Sequence, residues 1–143
     1  MNQQQAIEKV LESTKTIAVV GFSSRKERAG FYVPEYLQAQ GYRIIPVNPK
    51  LEKALDEKAY PDLNTIPEAV DLVLIFQRSE KVPPFVEQAI EIGAKGVWMQ
   101  LGIYNEEAAA QARSAGIDMV MDACILVEHQ HRYKLKLSPE APV

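Results

Sequence analysis

At 143 residues, with 47% hydrophobic and 24% charged side chains, the chain has the size and composition of one globular domain with a buried core, which excludes extensive disorder. Its formal net charge of −3 provides no overall positive field for nucleic acid or an anionic membrane, and leaves only a local basic patch to hold a small anion. The single cysteine, Cys124, excludes an intrachain disulfide and fits a reducing compartment.

The opening Met1-Asn2-Gln3-Gln4-Gln5 is polar and lacks the charged-then-apolar pattern of a signal peptide. No apolar run approaches the roughly 20 residues needed to span a bilayer, so a cytoplasmic protein is expected. Residues 3–13 carry Ile7, Val10 and Leu11 at helical spacing and predict a helix ahead of the first strand. Five apolar runs follow: Thr16–Val20, Ile44–Val47, Leu72–Phe76, Val97–Met99 and Met119–Met121. They are continuous rather than alternating, as strands are when helices cover both faces of a parallel sheet. Between them, Phe85, Val86, Ala89, Ile90 and Ile92 keep helical spacing, and the Ala108–Ala112 block follows Asn105-Glu106-Glu107, an N-cap with two first-turn acids.

Gly41, Gly93 and Gly116 each close a helical stretch one to three residues before a strand. Repeated helix–Gly–strand units imply right-handed crossovers, hence a doubly wound, Rossmann-like α/β fold with a five-stranded parallel sheet in the order 3-2-1-4-5. Residues 1–133 are expected to form the single domain. The charged, Pro-containing stretch 134–143 is expected to be a polar tail that frays or packs on a partner. A homodimer through the N-terminal helix or this tail is one arrangement the sequence allows.

In such a sheet, ligands bind beyond the carboxyl ends of the strands, where the strand order reverses. The first of these loops, Gly21-Phe22-Ser23-Ser24-Arg25-Lys26-Glu27-Arg28-Ala29-Gly30, runs from strand into helix. Gly21 permits a tight turn, and the Ser23 and Ser24 hydroxyls with nearby backbone N–H groups suit phosphate oxygens. Arg25, Lys26 and Arg28 add three cations beside the positive end of the following helix. A solvated basic loop is the plain alternative. The dinucleotide fingerprint G-x-G-x-x-G is broken, because Ser23 stands where the second glycine belongs, and strand 2 ends in Val47-Asn48-Pro49-Lys50 without a ribose-binding carboxylate. NAD is therefore disfavoured, while an NADP-dependent oxidoreductase stays open because the basic loop suits a 2′-phosphate. Pro46-Val47-Asn48-Pro49 reads as a rigid apolar shelf with an amide beside it, suited to adenine, or as a turn forced by two prolines.

At these residues the chain resembles the CoA-binding protein family, small relatives of the N-terminal domain of the succinyl-CoA synthetase α subunit. The resemblance is carried by Ala18-Val19-Val20-Gly21-Phe22-Ser23, Gly41-Tyr42-Arg43-Ile44-Ile45-Pro46-Val47-Asn48-Pro49 and Val70-Asp71-Leu72-Val73-Leu74-Ile75-Phe76. It continues through Gly96-Val97-Trp98-Met99-Gln100-Leu101-Gly102 and Val120-Met121-Asp122-Ala123-Cys124, then Glu128-His129, so that it spans roughly residues 5–131. It implies coenzyme A lying across the carboxyl edge of the sheet. Ser23, Ser24, Arg25, Lys26 and Arg28 would then face the pyrophosphate and 3′-phosphate. Val47, Asn48, Pro49 and Lys50 would flank the adenosine, Phe76 and Arg78 would line the path beyond, and Gln100, Leu101 and Gly102 would approach the pantetheine arm.

Succinyl-CoA synthetase chemistry needs a phosphorylatable histidine and further nucleotide-handling domains, to which nothing in this chain corresponds, so a module without a complete catalytic site is expected. His129 and His131, with Glu128, are a weak metal or acid/base signal and are expected to be surface or tail-packing residues. Cys124 follows the last strand at the ligand edge. It reads as a packed cysteine, with CoA-thiol chemistry through its thiolate as the alternative. Trp98 is expected in the core. An interaction protein that keeps the fold without the ligand is a further possibility.

Overall fold

The computed structural model of the protein describes residues 1–137. Helix α1 spans Gln3–Ser13 and starts at a reciprocal cap: the Asn2 side chain accepts from the Gln5 N–H at 2.8 Å, and the Gln5 side chain accepts from the Asn2 N–H at 2.9 Å. Strands β1 (Thr16–Val20), β2 (Arg43–Val47), β3 (Leu72–Ile75), β4 (Gly96–Met99) and β5 (Asp118–Val120) form one parallel sheet. Helices α2 (Ala29–Ala39), α3 (Pro83–Glu91), α4 (Glu106–Ser114) and α5 (Ile125–Leu137) complete the framework. Between β2 and β3 the chain forms a small hairpin, Lys53–Ala54 against Glu57–Lys58, and a short 3-10 turn at Leu63–Thr65 instead of a full crossover helix.

The five-stranded, parallel, Rossmann-like α/β architecture is as expected, but the strand order is β2-β1-β3-β4-β5 rather than 3-2-1-4-5. Strand β3 lies on the far side of β1, which makes β2 the edge. Two features account for this. Pro46 sits in β2 with its carbonyl turned outward to accept from the Tyr60 N–H at 3.0 Å. A proline offers no matching donor, so the outer side of β2 cannot carry a complete ladder and holds only an isolated bridge at Val47–Tyr60. At the other side, the Asp71 carboxylate accepts from the backbone N–H groups of Lys15 at 3.0 Å and Thr16 at 2.9 Å, which clamps the start of β3 to the start of β1. The point where strand order reverses therefore lies between β1 and β3.

Alternate residues of each strand face opposite layers. Ala18, Val20, Ile45, Val47, Val73, Ile75, Val97 and Met99 pack under α3 and α4. Ile17, Val19, Ile44, Leu72, Leu74, Trp98 and Val120 pack under α1, α2 and α5. Both faces are covered, which is why the strands read as unbroken apolar runs. Trp98 is fully buried and donates its indole N–H to the Ala123 carbonyl at 2.8 Å. Helix α5 continues past residue 133 to Leu137, and residues 138–143 of the expected tail lie outside the described residues.

Candidate functional site

The turn leaving β1 is dictated by Gly21. Its φ of +81 is left-handed, and a Cβ there would lie 2.1 Å from the Phe76 carbonyl oxygen. Only glycine lets the β1 and β3 ends approach this closely. The Gly21 N–H donates to the Val47 carbonyl at 3.1 Å, and the Asn48 side-chain amide donates to the Phe22 carbonyl at 2.7 Å, so the loops after β1 and β2 are tied together. The Asn48 side-chain oxygen accepts from the Lys50 N–H at 2.8 Å. Asn48 thus spends its amide on the scaffold.

The basic loop is shaped from the helix that follows it. Pro34 lies inside α2 and has no N–H for the Gly30 carbonyl four residues earlier. That carbonyl instead accepts from the Ser23 N–H at 3.1 Å. The Ser23 hydroxyl oxygen accepts from the Arg25 N–H at 3.1 Å, a serine turn that leaves its hydrogen available to an anion. Ser24, Arg25, Lys26 and Arg28 are exposed. Glu27 offsets one of these cations through a contact at 3.1 Å to Arg25. Helix α2 starts at Arg28 with no side-chain cap and no acid in its first turn. Phe22 turns inward: it is buried and packs edge-on against Phe31, with ring centres 5.8 Å apart, so it offers its backbone to the loop and not its ring to the crevice.

A cleft of about 640 Å³ opens from the first residue of α2, Ala29, between the loop after β3 and the loop after β4. Phe76, Arg78, Gln100, Leu101 and Gly102 line it, as do Gln77 and Ser79. Its walls are cross-tied. The Ser79 hydroxyl oxygen accepts from the Tyr104 N–H at 2.9 Å, and the Ser79 carbonyl accepts from the Asn105 side chain at 3.0 Å. Gln100 is buried, and its side-chain oxygen accepts from the Ile125 N–H at 3.3 Å, which seats the start of α5. The Gly102 N–H donates to the Asp122 carboxylate at 2.7 Å. Asp122 has a φ of +53, a conformation more tolerable to Asp than to most non-glycine residues. Sequence reasoning includes Asp122 in the stretch Val120-Met121-Asp122-Ala123-Cys124 but does not single it out, because a left-handed backbone at an aspartate has no signature comparable to that of a glycine.

The structure brings Gly21, Ser23, Ser24, Arg25, Lys26 and Arg28 to the β1 end, and Phe76, Arg78, Gln100 and Gly102 to the adjoining cleft. Val47 is buried, and Pro49 and Lys50 are exposed beyond β2 at the sheet edge. Cys124 is half-buried and packs against the α2-side core layer. His129 is not a surface residue. It is 5% exposed, and its Nδ1 lies 2.7 Å from the Tyr36 hydroxyl. Its ring packs edge-on against Tyr36 and Tyr42 and tilts over Tyr133. Burial lowers its pKa below the usual 6.5 and pushes the Tyr42 phenol up to about 12. This cage joins α2 to α5 on the amino side, whereas His131 is exposed. Among the described residues, no three His, Cys, Asp or Glu side chains are grouped to hold a metal ion, and no helix is long and apolar enough to cross a membrane.

Fold and cleft together define a Rossmann-like domain whose basic β1–α2 turn adjoins a cleft on the carboxyl edge of the sheet. The chain belongs to the CoA-binding domain family, whose model matches residues 15–130. It is 42% identical to the uncharacterized protein YneT of Bacillus subtilis over 123 residues, covering 86% of this chain and 91% of that one. It is 33% identical over 95 residues to ADP-forming acetate–CoA ligase II of Archaeoglobus fulgidus; the match takes in 65% of this chain but only 14% of the ligase. Among solved structures, a hypothetical protein from Pyrococcus horikoshii OT3 superposes with a TM-score of 0.86 at 39% identity, over 92% of each chain.

Proposed function

We propose that the protein binds coenzyme A, or an acyl thioester of it, along the carboxyl edge of the sheet and carries no complete catalytic site of its own. The observation that carries this reading is the continuity of the basic β1–α2 turn with the cleft, which share the residue where α2 begins. CoA is a long molecule with phosphates at one end and a thin, mostly uncharged arm at the other. The exposed cations Arg25, Lys26 and Arg28, the Ser23 and Ser24 hydroxyls and the uncapped start of α2 suit the phosphates. The cleft beyond, walled by Phe76, Leu101 and Ile103, suits the arm. Membership of the CoA-binding domain family supports the same ligand. The placement of Asn48 and Val47 narrows the adenosine end: the Asn48 amide acts as a brace and Val47 is buried in the core, so Pro49 and Lys50 are left to meet the adenosine through shape and charge. A cytoplasmic setting fits the single free cysteine.

Thermal-shift titration with CoA, dephospho-CoA, NADP and NAD tests this. A ligand at 100 times its Kd stabilises the folded state by roughly 2.7 kcal/mol. CoA is expected to raise the melting temperature most, and dephospho-CoA less. Absence of a shift with CoA, or a larger one with NADP, rejects the reading.

A further inference from the structure

The two ends of the carboxyl edge are built with opposite charge. At the β1 end, α2 starts without a side-chain cap or a first-turn acid, beside three exposed cations. At the β4–β5 end, α4 starts at Asn105, whose side-chain oxygen accepts from the Ala108 N–H at 2.9 Å, and carries Glu106 and Glu107 in its first turn. Its positive pole is already complemented. The Tyr104 hydroxyl donates to Glu106 at 2.8 Å. The Gly102 N–H in the cleft wall, which would otherwise suit an anion, is occupied by the Asp122 carboxylate at 2.7 Å. Arg78, the only cation among the described cleft-lining residues, is 76% exposed and lies 3.9 Å from Glu80 in the same wall.

We infer that Asp122 determines the class of thioester the cleft accepts: free CoA or a neutral acyl-CoA, and not one whose acyl group bears a carboxylate. This rests on the CoA reading above, with the phosphates at the β1 end, which sends the arm along the cleft toward Gly102. An anionic acyl group arriving beside Gly102 comes near the Asp122 carboxylate, which is held on the Gly102 N–H at 2.7 Å just behind the cleft wall. Asp122 acts by positioning the Gly102 loop and by its charge, and both follow from its left-handed backbone, which turns the carboxylate back onto the loop.

Equilibrium titration of the full chain with CoA, butyryl-CoA and succinyl-CoA tests this, since the last two differ chiefly in the terminal charge. Succinyl-CoA is expected to bind about five- to tenfold more weakly than butyryl-CoA, with the gap narrowing as salt is raised. Asp122→Asn keeps an oxygen for the Gly102 N–H and a side chain tolerant of the left-handed conformation, and is expected to reduce the ratio to about twofold or less. Equal binding of the two thioesters, or an unchanged ratio in Asp122→Asn, overturns the inference while leaving CoA binding intact. Failure of CoA and both thioesters to bind overturns the CoA reading and this inference with it.

Discussion

The Ser23 N–H and the Gly30 carbonyl are joined at 3.1 Å because Pro34, four residues further along α2, has no hydrogen to offer that carbonyl. A defect in the helix ladder is thus used to dock the basic loop onto the helix that follows it. The loop keeps a set shape although most of its side chains are exposed.

Restoring the missing donor separates helix stability from loop order. Pro34→Ala places an N–H opposite the Gly30 carbonyl and removes a ring that costs about 3 kcal/mol inside a helix. The variant is expected to be at least as stable in urea, yet to exchange the Ser23 amide hydrogen faster and to bind CoA more weakly. Slower exchange at Ser23 would contradict this account of the loop.

Gly21→Ala tests the approach of β1 to β3. The added methyl would lie 2.1 Å from the Phe76 carbonyl oxygen on a backbone with a φ of +81. A loss of about 3 kcal/mol in unfolding free energy is expected from strain and clash together. Gly41→Ala is the control, since its φ of +103 is also left-handed but nothing lies within 4 Å of the new methyl. A smaller loss is expected there, and chemical denaturation of the two variants makes the comparison.

Removing the cations of the basic loop separates ligand affinity from folding. Arg25→Gln, Lys26→Gln and Arg28→Gln together are expected to leave the urea midpoint nearly unchanged, because these side chains are exposed and the Arg25 contact with Glu27 lies at the surface. CoA affinity is expected to fall about tenfold at low salt, and the preference for CoA over dephospho-CoA to disappear. A preserved preference would place 3′-phosphate recognition elsewhere.

Two groups, His129 and Asp71, contribute to acid stability in different pH ranges. His129 resists protonation because it is buried, so the unfolded chain takes up a proton near pH 6.5 that the folded protein does not. Its contribution is complete above that pH and declines as the pH falls through it. Burial works to raise the Asp71 pKa, but hydrogen bonds from the Thr16 and Lys15 N–H groups, with Lys95 nearby, outweigh it and hold the pKa below the usual 3.8. That contribution is complete above 3.8 and is lost only at lower pH. Urea midpoints measured between pH 8 and 5 are expected to fall in the native protein and to change less in His129→Gln. Parallel slopes for the two proteins would exclude His129 as the origin.

The run of apolar strands, the helices between them and the glycine-led basic turn were legible because each is a local property. Two-sided burial writes continuous apolar runs, helices write their period, and a tight strand-to-helix turn with a left-handed residue favours glycine. Pro46 is likewise a local mark of an edge strand, since it lacks a donor for an outer neighbour of β2. Other features depend on residues distant in sequence and were decided by the tertiary structure alone. Asn48 becomes a brace because Phe22 presents its carbonyl from 26 positions away. His129 becomes a buried cage residue because Tyr36 and Tyr42 arrive from another helix and its following turn. Asp122 meets Gly102 only when β4 and β5 lie side by side. Periodicity and turn chemistry report what a residue does to its own backbone. A hydrogen bond across loops depends on where the sheet brings two chain segments together, and no short stretch of sequence contains that.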